Sequence, residues 1–569
     1  MKIHTVKLKK FRSIDNAEVR FSDVTAIVGE NNSGKSAIIQ ALSTFFNYNE
    51  EETKNFNSGV HSYTANSKTI ITVTFVGIPN EPQLREFKSN NQIVVQFSHT
   101  KNGKKPIIKH FKDGRFEESG DNLIGLIKKH IHFVYIPPIR TTTDLQYTET
   151  AILRQLVESH LRSETQNKDG FTNKFKDAFN YLQNNALSKL ARKLNRDNNL
   201  PNNLGIELAF KSDIHYSEYI NDIEVNIIEA SQSHNLLNCG TGIQSLTIIS
   251  LYRLLAKLED KTIFLALEEP ETNLHPHAQR EFIDVIKKEA QNSQIALTTH
   301  SPSIIDTLGH QDVMLVRKIP DSSRGFKSKI SQIPSTFFDD NGLESFKYYQ
   351  FHLYKNSEFF YARRAIIVES KTDAEIVKVL AHKSGVDLNL IGCSIINLDG
   401  VKNLVYPITI LKELDIPYLV IVDKDFFLPY INGELSRSKD AHGFPIYGSE
   451  YQRRSPIDLI ITDPTKKEAI KGLLNNNHSG ALDLLEEFNT VSMRYNLETD
   501  LLQSRAALSY ICDELDLEGE ERNATHILNT KKLRKSIKNV GLLMKTVEHV
   551  AASSLPRSYS KIKKAIKSY

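Results

Sequence analysis

The sequence predicts an α/β chain of more than one domain, on three observations. A short buried-strand run, Val24–Val28, leads through a glycine-rich turn into a helix-like segment, Ala37–Phe46. Later runs at Ile263–Leu267, Ala365–Val368 and Tyr418–Val422 are short and continuously apolar, as strands covered on both faces of a parallel sheet are. At 569 residues the chain also exceeds what one hydrophobic core usually organises, which sets an expectation of about two to four domains.

The elements follow in order. Ile3, Val6 and Leu8 precede a turn, and Val19 and Phe21 alternate with polar residues, so strands bring the chain to Val24–Val28. Residues 69–76 and 92–98 read as antiparallel strands, and 131–136 (IHFVYI) as a more buried one that stops at Pro137-Pro138. From about 145 to 200 the period turns helical: Phe171, Phe175, Phe179 and Leu182 recur on one face, and Leu187, Leu190 and Leu194 continue the stripe. This is a helical insertion, too short and irregular for a long coiled coil; its apolar face packs on its own domain or meets a second subunit. Strand signals return at 206–210, 223–228, 263–267 and 295–297, with a helix-like 276–290 between the last two. The polar, Ser/Gly-rich stretch 320–344 marks a boundary, and a second α/β unit opens at 365–368 and continues through 418–422. Residues 430–480 are polar and loop-rich, and helical periodicity dominates from about 500. The predicted layout is an N-terminal part (1–144), the insertion (145–204), the return to the first domain (205–345), a second α/β domain (346–500) and a helical C-terminal region (501–569).

An apolar fraction of 40% and a charged fraction of 25% are those of an ordinary globular protein. Lys+Arg 72 against Asp+Glu 68 leaves a net charge of only +4, so affinity for a polyanion has to come from local patches. One patch joins Lys531, Lys532, Arg534, Lys535 and Lys538, and another Arg557, Lys561, Lys563, Lys564 and Lys567; each is either a solvated helix face or a DNA contact. Cys239, Cys393 and Cys512 are far apart and form no Cys-x-x-Cys pair, which argues against a zinc ribbon and a disulfide framework and suits a reducing cytosol. The N-terminus lacks a signal-peptide core and no run reaches about 18 apolar residues, so a cytoplasmic protein without a membrane span is expected.

Gly29-Glu-Asn31-Asn32-Ser33-Gly34-Lys35-Ser36 fits G-x-x-x-x-G-K-[ST], after a buried strand and before a helix. The glycines let backbone N–H groups turn inward around phosphate oxygens, and the helix start adds positive potential. Lys35 would neutralise the β- and γ-phosphates of ATP, and the Ser36 hydroxyl would ligate Mg²⁺. Glu268 and Glu269 close the strand Ile263–Leu267, where buried unpaired carboxylates are costly; a metal-associated acid and a general base explain them. Ile295–His300 ends another buried strand on a histidine, and Gly240-Thr-Gly242-Ile-Gln244 is a glycine-rich turn opening a helix.

Together these motifs resemble the ATP-binding-cassette (ABC) ATPases of the RecF, Rad50 and SMC branch. The resemblance implies that Gly240, Gly242 and Gln244 form the signature loop, which reaches the nucleotide held by the other protomer, although the usual serine-glycine-glycine-glutamine wording is absent. It makes Glu268 the metal-associated acid, one methylene longer than the usual aspartate, Glu269 the catalytic base and His300 the γ-phosphate sensor. Glu271–His275 falls at the dimer-communication loop, and no Q-loop glutamine is placed. A homodimer, or a higher homo-oligomer, is the expected assembly.

In the second unit, the strand 365–368 ends at Glu369 and the strand 418–422 at Asp423, with Asp425 two residues on and able to point the same way. Asp373 lies one helical turn after Glu369, and Glu498 and Asp500 form a later pair. Six gathered carboxylates repel unless hard, oxygen-preferring cations neutralise them, which points to Mg²⁺ or Mn²⁺. Val368–Asp373, Asn397–Gly400 and Asp423-Lys-Asp425 resemble the Toprim domain of topoisomerases, primases and certain nucleases. An ABC-type ATPase followed by Toprim resembles the OLD (overcoming lysogenisation defect) family, whose Leu-Glu-x-Asp-Leu element is matched by Leu497–Leu501; Ser370 stands where many Toprim domains have glycine. The family also uses a late lysine, here Lys545 or, alternatively, Lys538.

The resemblance implies a DNA endonuclease that binds ATP and divalent metal, in the branch found with the Gabija and retron defence systems. The resemblance also implies a defence-system partner, a helicase-like protein or a retron reverse transcriptase with its DNA. The alternative is a RecF-like DNA-binding ATPase of recombination and repair with a structural Toprim unit. A topoisomerase needs a nucleophilic tyrosine in a separate cleavage domain, and no segment announces one.

Overall fold

In a computed structural model the described residues are all except 49–66, 100–105, 120–121, 138–141, 164–173, 175–176, 179, 198–207, 209–222, 230–231, 273, 291–292, 352–356, 401–402, 450–456 and 569. They form two compact units, Met1–Ile330 and Ser331–Tyr569.

In the first unit β1 (Lys2–Phe11) and β2 (Ile14–Arg20) make a hairpin with Val6 opposite Val19 and Leu8 opposite Ala17. Alternation along β1 turns Val6 and Leu8 inward, and a register shift between Ile3 and Thr5 and the left-handed Lys10, at φ 56°, bring Ile3 and Phe11 into the same core. After β3 (Val24–Val28), the strands β4 (Thr69–Val76), β5 (Ile93–His99), β6 (Ile107–Lys112) and β7 (Arg115–Glu118) extend that hairpin into a six-stranded antiparallel sheet, ordered β2-β1-β4-β5-β6-β7. The second sheet takes β3, β8 (Ile131–Ile136) and four later strands. Between them in sequence, β9 (Asn226–Glu229) and β10 (Gln232–Asn235) form a separate ladder. The later four are β11 (Thr262–Glu268), β12 (Ser293–Thr298), β13 (Val313–Asp321) and β14 (Gly325–Gln332), giving the order β14-β13-β3-β12-β11-β8. From β13 to β8 all neighbours run parallel, so the carboxyl ends of β3, β11 and β12 share one edge.

The helix Lys35–Phe46 packs between the two sheets, with Phe46 stacked on Phe133 at 5.1 Å and Phe45 against Phe75 and Phe97. Each buried phenylalanine contributes about 1.5–3 kcal/mol, and together they fix the helix that the glycine-rich turn opens. Part of the expected helical stripe and of the 206–210 strand lies outside the described residues. Of the rest, Leu182 and Leu190 are exposed, on the helical stretch that runs through Gln183–Leu187 and Ser188–Asp197. The polar stretch 320–344 carries the end of β13 and all of β14, since a hairpin with one wet face keeps few apolar residues.

The second unit has a parallel sheet, β16-β15-β17-β18, from β15 (Arg364–Val368), β16 (Cys393–Asn397), β17 (Tyr418–Val422) and β18 (Thr490–Ser492). The helix Lys371–Lys383 and the late helices Val540–His549 and Arg557–Ser568 share one core with it, through Ile376, Leu380, Val547, Tyr559 and Ile562. Within the region read as loop-rich, Asp463 caps a helix at Pro464–Asn476 that anchors itself by only Ile470 and Leu474. No helix among the described residues is long and apolar enough to cross a membrane.

Candidate functional site

The carboxyl end of β3 hands the chain to Gly29 at φ 145°, where a Cβ would stand 2.0 Å from the Val316 carbonyl oxygen. Gly34 sits at φ 108° with Ser328 Oγ 2.3 Å from the same imaginary atom, so conformation and space both demand glycine. Asn31 and Asn32 are exposed at the tip and Ser33 is buried. The Lys35 amino group, also buried, donates to the carbonyls of Gly29 and Glu30 at 3.0 and 3.1 Å. Burial lowers its pKa, and Glu269, Glu268, Glu30 and Glu271 oppose that shift, so the acids that close β11 stand around the lysine.

Burial raises the Glu268 carboxyl above its ordinary value, against hydrogen bonds from the Ser36 and Tyr135 hydroxyls. Its Oε1 is buried without a hydrogen-bond partner, which suits a cation beside Ser36. Glu269 follows at φ 46°, a strained conformation held because its N–H donates to both the carbonyl and the hydroxyl of Thr298. Its carboxylate lies 3.9 Å from His300 Nε2. Burial, then Lys35, lowers the His300 pKa while Glu269 raises it, which favours the neutral ring. Glu271 Oε1 accepts from Thr299 Oγ1 at 2.6 Å and from the His300 N–H at 2.8 Å, fixing the turn that presents the histidine. In the predicted signature turn, Gly240 is open to solvent and Gly242 packs on Leu274. The buried Gln244 amide donates inward to the carbonyls of Leu236 and Leu237.

In the second unit, parallel pairing of β15 with β17 sets Glu369 and Asp423 at neighbouring strand ends, and the turn Lys424–Phe426 brings in Asp425. One carboxylate oxygen from each of the three lies within 4.8 Å of the others. Burial, then Asp425 and Asp373, pushes Glu369 up to about 7. Burial and the acids Asp373, Glu369, Asp425 and Glu498 hold Asp423 well above the carboxylate range. Glu369 Oε2 and Asp425 Oδ1 are buried without a hydrogen-bond partner, so the donor set fits a hard divalent cation that would supply the missing charge.

The structure brings two further predicted acids toward this group by charge. Asp373 caps its own helix through Ser370, and its carboxyl is raised by burial, with Glu498 adding to the rise. Asp500 is committed elsewhere: it accepts from the N–H groups of Arg494 and Tyr495, each at 2.8 Å, and from Ser558 Oγ at 2.6 Å. Of the two candidate lysines, Lys538 lies 3.5 Å from Glu498, whereas Lys545 pairs with Glu514. Sequence reasoning missed Tyr135, Tyr430 and Ser558. Tyr135 was findable, as the penultimate residue of a strand parallel to β11. Tyr430, whose hydroxyl bonds Asp425, stands just after it at the start of the stretch read as loop-rich, and Ser558 comes from the distant last helix with no local signal.

Residues 24–306 match the family model of an AAA domain, putative AbiEii toxin, Type IV TA system. Residues 360–425 match the overcoming lysogenization defect protein-like TOPRIM domain. The first match implies a nucleotide and the second a divalent metal. The chain is 22% identical to the OLD nuclease of Thermus scotoductus, over 74% of this chain and 81% of that protein. It is 25% identical to Endonuclease GajA of Bacillus cereus, over 40% of this chain and 36% of that protein. The Old nuclease of Escherichia phage P2 is 20% identical, over 75% of this chain and 78% of that protein. With its phosphate loop in the one unit and its acids at strand ends in the other, the chain joins an AAA-type ATPase domain to an OLD-like TOPRIM domain.

Proposed function

We propose that this protein is a divalent-metal-dependent DNA endonuclease under nucleotide control, acting in anti-phage defence in the cytoplasm. The observation that carries the reading is the convergence of Glu369, Asp423 and Asp425 at the edge of a parallel sheet, with two buried oxygens lacking any partner. Glu369, Asp423 and Asp425 hold the metal, and Asp373 and Glu498 add negative charge around it. Bound Mg²⁺ or Mn²⁺ supplies Lewis acidity at a phosphodiester and a more acidic water. The Lys538 ammonium, paired with Glu498, offsets charge that builds on the phosphate. In the other unit Lys35 and Ser36 bind ATP and its Mg²⁺, Glu269 is the general base and neutral His300 meets the γ-phosphate. Gly240 serves a second copy of the chain in a homodimer, a role supported by the open space around it, while Gly242 and Gln244 shape the turn that presents it.

Supercoiled plasmid incubated with Mg²⁺ or Mn²⁺ tests the nuclease. The wild type nicks it, and Asp423→Ala lowers the rate at least a hundredfold. Equal nicking by the variant, or none by the wild type, defeats the reading and favours a DNA-binding ATPase with a structural Toprim unit.

A further inference from the structure

The two basic patches differ in how their charge is met. On the helix Arg557–Ser568, Arg557 and Lys561 pair with Asp483 at 3.0 and 2.7 Å, and Lys561 and Lys564 with Glu486 at 2.6 and 2.9 Å. Three of the five cations of that patch are thus met by acids of the fold. In the other patch, Lys531, Arg534, Lys535 and Lys538 line a cavity of about 490 Å³, and Lys439 joins them from the loop after β17. Glu498 is the only acid among the described residues lining it, and Lys538 alone of the five cations pairs with it. Burial and the like charges of Arg534 and Lys538 hold Lys439 below the ordinary lysine value. Cations gathered against their own repulsion make a field that attracts an anion.

The cavity is not merely basic. Leu435, Pro445, Leu528 and Ile537 also line it, so charged side chains surround an apolar surface. Its volume falls in the range of roughly 300–1,000 Å³ typical of small-ligand pockets. A nucleotide has this composition, a flat base that stacks on apolar surface and phosphates that seek lysine and arginine. Glu498 both lines the cavity and is one of the acids acting on Asp423 and Asp373, so the cavity adjoins the acidic cluster.

We propose that this cavity takes one unstacked nucleotide of the DNA strand being cut, its base against Leu528 and Ile537 and its flanking phosphates on Lys439, Lys531, Arg534 and Lys535. The proposal rests on the endonuclease reading and deepens it. A base in a paired duplex has to leave its stack to enter, so single-stranded or locally opened DNA binds better than blunt duplex.

The test is binding without cleavage. Fluorescence anisotropy on the full chain in Ca²⁺ compares a labelled single strand with the blunt duplex of the same sequence. The single strand is expected to bind at least tenfold tighter. The triple variant Lys531→Ala, Arg534→Ala, Lys535→Ala is expected to lose that preference and to flatten the salt dependence, by about 0.7 in log–log slope for each phosphate left without its cation. Lys439→Glu does the same by a single change, should the triple variant unfold. Equal binding of the two DNA forms overturns the proposal, as does a variant with wild-type thermal stability that still prefers the single strand. Displacement of the oligonucleotide by equimolar dTMP reassigns the cavity to a free nucleotide and also overturns it. Binding is read apart from nicking, so a chain that binds as expected but does not cut defeats the endonuclease alone.

Discussion

Glu369 is held in a position that its charge disfavours. Burial and two neighbouring carboxylates push it up to about 7 from 4.5, so near neutral pH it carries a proton for about half the time. A cation has to displace that proton, and metal affinity at the cluster is therefore expected to rise as pH climbs from about 6 to 8. Isothermal titration of Mg²⁺ in two buffers of different ionisation heat reads the released proton directly. Stability changes in the opposite sense: a carboxyl that binds its proton more tightly when folded stabilises the fold below 4.5 and loses that contribution as pH rises through about 7. Asp500, pushed from 3.8 up to about 6 by burial, adds a like loss at lower pH. The metal-free chain is thus expected to melt lower at pH 8 than at pH 6, with Mg²⁺ restoring most of the difference. Asp500 itself has a separate expectation. Three donors converge on its oxygens, and an asparagine would turn an N–H against one of them. Asp500→Asn should therefore destabilise the chain by about 1–3 kcal/mol in denaturant unfolding. Metal affinity should stay within twofold; a tenfold fall in a folded variant makes Asp500 a ligand after all.

At the scale of elements, the glycine-rich turn works because β13 runs directly against it. The atom nearest a Cβ on Gly29 is a backbone oxygen, which no rotamer change can move. Gly29→Ala is expected to weaken nucleotide binding at least tenfold, about 1.4 kcal/mol, in a fluorescent-nucleotide titration. Gly240→Ala, with open space around it and an ordinary backbone, should leave the thermal stability of the chain unchanged. Gly29 to Ser36 was legible in the sequence because local order alone specifies it, as were β3, β8, β11, β15 and β17, whose runs are mostly apolar. The hairpin of β13 and β14 was not, because its residues mix polar and apolar and its β13 partner, β3, is nearly three hundred residues away in sequence. The same limit applies within the acidic cluster. Strand ends announced Glu369 and Asp423, whereas Glu498 and Asp500 lie two apart on the helix Leu497–Leu501 and so face different sides. Asp500 turns to the N–H groups of Arg494 and Tyr495 and to Ser558 of the last helix.

For the whole molecule, the question is whether the nucleotide reports to the acids. A ligand shifts an equilibrium only by the difference in its affinity for the two states, so nucleotide control requires states that differ in both nucleotide affinity and cleavage. Lys35 is the residue through which this can be asked cleanly. Its amino group bridges the carbonyls of Gly29 and Glu30 and stands among four glutamates, all within the first unit. The acids of the cleavage proposal all belong to the second. Lys35→Ala should abolish nucleotide binding and leave the divalent-metal affinity of the acidic cluster intact. Plasmid nicking by wild type and variant, each with and without ATP, then separates the outcomes. If the nucleotide governs the nuclease, ATP changes the wild-type rate at least threefold in one direction and leaves the variant's rate alone. The variant's constant rate also identifies which wild-type condition corresponds to the empty loop, and so whether ATP licenses cleavage or restrains it. Four equal rates mean that the two sites share a chain without sharing a conformational equilibrium.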